Sequence, residues 1–421
     1  MSTVLRPRYA WIDGAFREGM EIELGGGEIA AVRPTEAGPT DARTAVLPGF
    51  VNAHSHAFQR GLRGRGETFT NPADDFWSWR EAMYGLVDTL TPESAHCLSL
   101  RAFREMRAAG ITTVGEFHYI HHSGAGQDFA LDEAVLAAAA DAGIRIVMLH
   151  ALYLSGGFDR PLAGAQRRFD GGDLDAWWKA VDRAERACRT PLQSMGVVIH
   201  SLRAVPIDLA AEVRREAARR GLVVHLHLEE QPAEIDACRS AHGCTPMRLV
   251  LDRLEPGPDM TAVHCTHTDP TEMAAYTATG AHVCLCPLTE ANLGDGIADV
   301  VGMRDRGGSI CLGTDSNARI CMLEEMRLCE YGQRLRDRRR GACVDATGGI
   351  GTPLLDMATC GGAASLGVSA GRIEAGCAAD VVIVDLDHPM LEGVSPADLP
   401  AALVTGCDAR VIQASLVGGQ A

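Results

Sequence analysis

A chain of 421 residues with 46% apolar and 22% charged side chains can bury a large core, which excludes intrinsic disorder. Its net charge of −16 argues against nucleic acid and anionic membrane surfaces as partners, and no run of about 18 uncharged apolar residues is present to span a bilayer. The fourteen cysteines include no C-x-x-C pair, and Cys284, Cys286 and Cys311 stand inside apolar runs, as small buried residues do in a reducing compartment. The N-terminal MSTVLRPRYAWIDG has no apolar stretch of signal-peptide length, so the expected location is the cytoplasm.

In chain order, residues 1–46 read as short strand-like pieces around a Gly25-Gly26-Gly27 turn. Eight apolar, β-branched segments follow, separated by helix-length amphipathic stretches. They are LPGFVNAHSH (47–56), TTVGEFHY (112–119), IRIVMLHALY (144–153), MGVVIHS (195–201), LVVHLHLEE (222–230), TAVHCTH (261–267), HVCLCPLTE (282–290) and SICLGTD (309–315). Each passes into His, Glu, Asp, Tyr or Ser at its C-terminal end, where a (β/α)₈ barrel carries its catalytic groups. From about residue 372, GRIEAGCAADVVIVDLDHP and AALVTGCDARVIQASLVGG return to strand and turn. The predicted architecture is a TIM-type (β/α)₈ barrel over 47–371, with a small β-sandwich domain formed by 1–46 plus 372–421. The basic run QRLRDRRRG (333–341) has helical spacing in an acidic chain and reads as a solvated helix face.

His54 and His56 flank one residue at the end of the first strand, so their imidazoles project to one side. By itself H-x-H is weak. The fifth strand, however, ends His225-Leu-His227, the sixth contains His264 and the eighth ends in Asp315, and in a barrel these ends converge on one mouth. Three imidazoles and a carboxylate suit zinc and leave a position at which water is acidified. His227, nearer the rim, is the better ligand, and His225 is expected to be structural. The single lysine, Lys179, lies in the helix-like DLDAWWKAV, so no carbamylated lysine can bridge two metals and one ion is expected. Glu229 and Glu230 compete as proton shuttle, and strict alternation along the strand favours Glu229. His264 is a donor candidate for the reacting centre, with plain packing as the alternative.

LPGFVNAHSH, a late strand-end Asp and a closing GRIEAGCAADVVIVD resemble the amidohydrolase superfamily. HSHAFQRGLRG, DDFWSWREAMY, GEFHYIHH, HSLRAV, HLHLEEQPAEIDAC, VHCTHTDP, PLTEANLGDGI and LEEMRLCEYGQRLRDRRR resemble, within it, the formimidoylglutamate deiminases of histidine degradation. The resemblance covers nearly the whole chain. It implies hydrolysis of N-formimino-L-glutamate to N-formyl-L-glutamate and ammonia, with one Zn²⁺ per chain on His54, His56, His227 and Asp315. It also implies proton transfer by Glu230, His264 and Asp315, and substrate contacts from Gln59, Arg80, Tyr119, His200 and Arg203. Two arginines suit a dicarboxylate, because a guanidinium grips a carboxylate bidentately; from the residues alone, either could equally be a structural ion-pair partner. The partner expected is a small acidic amidine, with neither nucleic acid nor membrane, and the chain is expected to be a homodimer. One departure stands out: the family reads Asp-Ser-His where this chain has Asp315-Ser316-Asn317, and Asn cannot change charge near pH 7. The rival readings are a superfamily deaminase of a cyclic amidine or nucleobase, and a non-catalytic assembly subunit of the same fold.

Overall fold

The computed structural model describes residues 3–65, 67, 76–124 and 126–421, with the backbone alone at 76–78. Met1, Ser2 and, from the quoted DDFWSWREAMY, Asp74 and Asp75 lie outside the described residues. Sixteen strands are present in that range. In chain order they are β1 (Thr3–Leu5), β2 (Pro7–Ile12), β3 (Ala15–Arg17), β4 (Met20–Gly25), β5 (Glu28–Pro34), β6 (Asp41–Pro48), β7 (Phe50–Ser55) and β8 (Ile111–His118). They continue as β9 (Arg145–Leu152), β10 (Gln193–Ile199), β11 (Val224–Leu228), β12 (Met260–His264), β13 (His282–Leu285), β14 (Ser309–Leu312), β15 (Val381–Asp385) and β16 (Ile412–Leu416).

Strands β7 to β14 pair in sequence order, all parallel, as one eight-stranded sheet. The two end strands meet through a parallel bridge between Ser55 and Asp315. There His56 N donates to Asp315 O (2.9 Å) and Thr314 N to His54 O (3.0 Å), closing the sheet into a barrel. All eight expected strands therefore exist. Their residues are buried almost without a break, as parallel strands covered on both faces must be. The expected segment 282–290 is shorter as a strand because Pro287 cannot extend a ladder; it opens a helix over Pro287–Leu293 instead.

The approach of strand ends also dictates one glycine: a Cβ on Gly313 would lie 2.7 Å from His54 Cβ, so β14 could not close on β7 with any larger residue. Below the barrel, the helical segment 351–365 packs against β7 and β14, and His225 Nε2 donates to Ser365 O at 3.0 Å. His225 is thus a buried structural residue. Chain ends supply a five-stranded sheet ordered β16-β15-β6-β2-β3 and a three-stranded sheet ordered β1-β4-β5. They share a core of Ala10, Ile22, Leu24, Ile29, Val46, Val381 and Leu416. Buried Asp380 ties this unit to the barrel by accepting from Arg145 Nε (2.7 Å) and Gly418 N (2.8 Å). The basic run lies at the end of the helix Met322–Asp337, where Arg334 pairs with Glu330 and Arg336 with Asp299.

Candidate metal and active site

Strand ends of the barrel bring together residues far apart in sequence. His54, His56, His227 and Asp315 each offer one donor atom, all within 4.8 Å of one another. Asp315 Oδ1 is 3.3 Å from His54 Nε2 and 3.2 Å from His56 Nε2, and His227 Nε2 is 3.2 Å from His54 Nε2. The tautomers reveal what this arrangement requires. His56 Nδ1 donates to Phe117 O (2.9 Å) and His227 Nδ1 to His200 O (3.2 Å), which leaves a lone pair on each Nε2. Burial, with neighbouring His54, pulls His56 down to about 3, so its ring is neutral. A lone pair facing a carboxylate oxygen at 3.2 Å is repulsive unless a cation lies among the donors. Tetrahedral zinc with bonds of about 2.0 to 2.2 Å sets its ligand atoms about 3.3 Å apart, close to the spacings here.

The two adjacent carboxylates are separated by the backbone conformation at Glu229. Glu229 adopts φ 54°, a left-handed conformation that breaks the strand's alternation. Its side chain turns outward, and Oε1 accepts from Met247 N at 2.9 Å. The next residue, Glu230, consequently faces the mouth, its Oε1 3.7 Å from His264 Nε2. Burial, reinforced by Asp315, raises the Glu230 pKa. His264 lies over His227 with ring centroids 5.5 Å apart, and its Nδ1 contacts Glu290 Oε1 at 3.3 Å. Burial opposes charge on His264, but Glu230, Glu290 and Asp315 outweigh it and lift the ring to about 10. Of the ten non-glycine residues with positive φ among the described residues, five (Glu229, His264, Cys265, Asp315 and Asn317) sit around this mouth; backbone strain of this kind clusters at working sites.

A pocket opens above the cluster, lined by His56, Gln59, Trp79, Arg80, Tyr119, His200, Arg203, Glu230, His264 and Asp315, among others. All five expected substrate-contacting residues face it. Gln59 Nε2 donates to Tyr119 Oη (2.9 Å), while Gln59 Oε1 and Arg203 Nη1 are buried without a hydrogen-bond partner among the described residues. Burial and the adjacent Arg203 charge keep His200 far below its usual range, so it is neutral. Arg80 lies over the Tyr84 ring, 5.3 Å from its centroid. The pocket continues into a cleft that shares Arg80, Arg203, Glu230 and Glu234 and adds Arg160.

Glu234 and Asp132 escape a reading of the sequence, and Asn317 takes a role it does not reveal. Glu234 lines both cavities, with an unpartnered buried Oε1, and burial raises it to about 7 against the pull of Arg203. Its only signal is the i, i+4 spacing from Glu230. Asp132 accepts from His118 (3.0 Å), His121 (2.9 Å) and His150 (2.9 Å), pinning the chain on either side of Tyr119. Asn317 plays a structural part, since Nδ2 donates to Ser55 Oγ (3.1 Å) and His56 O (3.0 Å), and Oδ1 accepts from Thr314 Oγ1 (2.7 Å). Its amide locks the barrel seam and does not line the pocket.

A closed parallel barrel with a histidine and carboxylate donor cluster, the neighbouring Glu230 and His264, and a pocket at its C-terminal mouth defines a metallohydrolase-type barrel. The sequence matches the amidohydrolase family over residues 45–421. It is 38% identical over 401 residues to a formimidoylglutamate deiminase of Pseudomonas aeruginosa, covering 93% of this chain and 88% of that protein. A 5-methylthioadenosine/S-adenosylhomocysteine deaminase of Natronomonas pharaonis is 32% identical over 94% of this chain and 85% of that one. Among solved structures, an amidohydrolase from Brucella melitensis superposes with a TM-score of 0.89 at 32% identity, covering 98% of this chain and 94% of that one. The chain belongs to the amidohydrolase family and is a hydrolase of C–N bonds. Among the described residues, no helix is long and apolar enough to cross a membrane.

Proposed function

We propose that the protein hydrolyses N-formimino-L-glutamate to N-formyl-L-glutamate and ammonia, with one zinc ion per chain held by His54, His56, His227 and Asp315. The observation that carries the substrate class is Arg203, which lines the same pocket as Glu230 and His264 and whose buried Nη1 has no hydrogen-bond partner among the described residues. In a chain of charge −16, a dianion needs such a cation at close range, and the 38% identical relative bears the name of a formimidoylglutamate deiminase. Zinc at the cluster supplies Lewis acidity toward water and the amidine.

The residues do the rest. Arg203 and Arg80 hold the two carboxylates and aim the formimino carbon at the mouth, while Tyr119, Gln59 and His200 fix its orientation. Glu230 takes the proton of the attacking water as the new C–O bond forms. It passes that proton to the terminal imino nitrogen to give an amine, and Asp315 then relays the remaining hydroxyl proton to the same nitrogen as the formyl C=O forms, the C–N bond breaks and ammonia leaves. His264 steadies the developing charge by hydrogen bonding, and Asp315 assists the transfer. General acid-base action of this kind contributes roughly 10² to 10⁴ in rate.

A second reading, deamination of a purine nucleoside, is favoured by the adenosine-type relatives and by the aromatic lining of Tyr84, Tyr119, Tyr153 and Phe169. Ammonia release measured on formiminoglutamate, a neutral formamidine and 5′-deoxyadenosine separates the two; preference for the nucleoside would refute the main reading. The same reading takes the enzyme as cytoplasmic and homodimeric, acting in histidine degradation. It treats 47–371 as the catalytic unit and 1–46 plus 372–421 as an accessory one. Cell fractionation, light scattering and limited proteolysis test these points.

A further inference from the structure

Asp315 presents its two oxygens to different partners. Oδ1 faces His54 and His56 at 3.3 and 3.2 Å, whereas Oδ2 lies 3.9 Å from His264 Nε2, too far for a hydrogen bond. A thiol also stands close to Asp315 and His264. One donor atom each of His264, Cys286 and Asp315 lies within 4.8 Å of the other two, and all three residues are buried. Glu230 Oε1, 3.7 Å from His264 Nε2, puts a further oxygen at hand. The floor beneath is neutral and soft: Ala53, Val263, Cys284 and Cys311.

A mixed nitrogen, sulfur and oxygen set suits zinc or cadmium and disfavours magnesium and calcium. The other histidine-carboxylate group, His118, His121 and Asp132, serves as a contrast. There each nitrogen is 2.9 to 3.0 Å from a carboxylate oxygen, so direct hydrogen bonds satisfy it without an ion. Among the described residues no such bond to Asp315 Oδ2 is present, and His264 Nε2 lies 3.9 Å from it, which leaves that oxygen open to a second cation.

We propose that His264, Cys286 and Asp315 form a second, thiolate-bearing site for a soft divalent cation, such as cadmium or excess zinc, and that filling it inhibits hydrolysis. When the ion binds, the thiol proton and the Nε2 proton of the charged His264 ring both leave to solvent. The ion engages His264 Nε2 and Asp315 Oδ2 together and withdraws both from proton handling. Binding stands on the donor geometry; inhibition rests on the roles proposed above for His264 and Asp315.

The test is to titrate enzyme carrying one zinc per chain with cadmium chloride, following bound metal, the ultraviolet thiolate-to-cadmium absorption and hydrolysis in parallel. One further equivalent should bind, the band should saturate with it, and activity should fall in step. Cadmium exchanging into the His54, His56, His227 and Asp315 cluster gives no band, since that cluster contains no sulfur. Cys286→Ser suits the start of the helix at Pro287 but is a far poorer cadmium ligand. It should abolish the band and raise the half-inhibiting cadmium concentration at least about tenfold relative to its own uninhibited rate. Cys286→Ala should behave alike, which guards against a folding defect in either variant. A band that persists in both variants, or its absence from the unaltered enzyme, overturns the site. A Cys286-dependent band with hydrolysis undiminished overturns the inhibitory half and counts against the role given to His264, without touching the binding result.

Discussion

Exchanging each of the adjacent acids for its amide separates the two roles the backbone assigns them. In Glu230→Gln the side chain keeps its size and its place beside His264, 3.7 Å away, but can no longer carry a proton. If Glu230 is the shuttle, kcat should fall by about 10² to 10⁴, or about 3 to 5 kcal/mol. Metal content should be unchanged, since no donor atom of the His54, His56, His227 and Asp315 cluster is removed. In Glu229→Gln the amide oxygen can still accept from Met247 N, now 2.9 Å from the carboxylate. The loss is confined to the charge-assisted part of one hydrogen bond and one buried amide hydrogen pair, a stability cost of about 1 to 2 kcal/mol. Its kcat should therefore stay within about threefold of the unaltered enzyme. Ammonia release under saturating substrate, zinc analysis and thermal melting measure all three quantities. Turnover that survives in Glu230→Gln, or collapses in Glu229→Gln with zinc and fold intact, would refute the assignment made from the left-handed turn at 229.

Arg203→Met should raise KM for formiminoglutamate by one to three orders of magnitude, because an unpartnered buried Nη1 is removed from a desolvated carboxylate. Activity toward a neutral formamidine should be spared, and equal loss on both substrates would mark Arg203 as structural. Acid should destabilise the fold from about pH 6.5 downward, by the following sign. Burial holds His150 and His225 at about 4 against an ordinary 6.5, so between these values the unfolded chain binds protons that the native one refuses. The contribution of these two rings is full above 6.5 and falls as pH drops toward 4, by up to about 1.4 kcal/mol per pH unit for each group. Denaturant melts that are flat between pH 7 and 5 would contradict this. Asn317→Ala deletes two hydrogen bonds across the barrel seam and a local one from Thr314, and should cost about 3 kcal/mol at about 1 per bond. Melting unchanged within error would show that the seam does not depend on it.

How far the sequence reaches can be judged from these residues. Local rules fix the eight strands, since β-branched runs buried on both faces have one architecture open to them once helices intervene. The same rules put His54, His56, His227, His264 and Asp315 at strand ends, and a barrel leaves those ends one place to meet. His225 is separable from His227 by depth alone. What periodicity cannot decide is anything set by a break in periodicity. Strict alternation points to Glu229, and a single residue at φ 54° reverses the answer by turning Glu230 into the pocket. The resemblance supplies Glu230, but its physical reason lies in the backbone.

Tertiary structure alone decides the partners that arrive from far along the chain. In the sequence Asn317 looks like a lost titratable group beside Asp315, whereas closure of β14 on β7 makes its amide the seam of the barrel. Asp132 gathers three histidines from two strands and the loop between them, Glu290 reaches His264 from a helix 26 residues on, and Cys286 comes beside Asp315. A chain dictates its own periodicity through neighbours three or four residues away. Contacts across the barrel depend on the closure distance of the sheet and on where strained residues turn the backbone, and those quantities exist only once the whole sheet has formed.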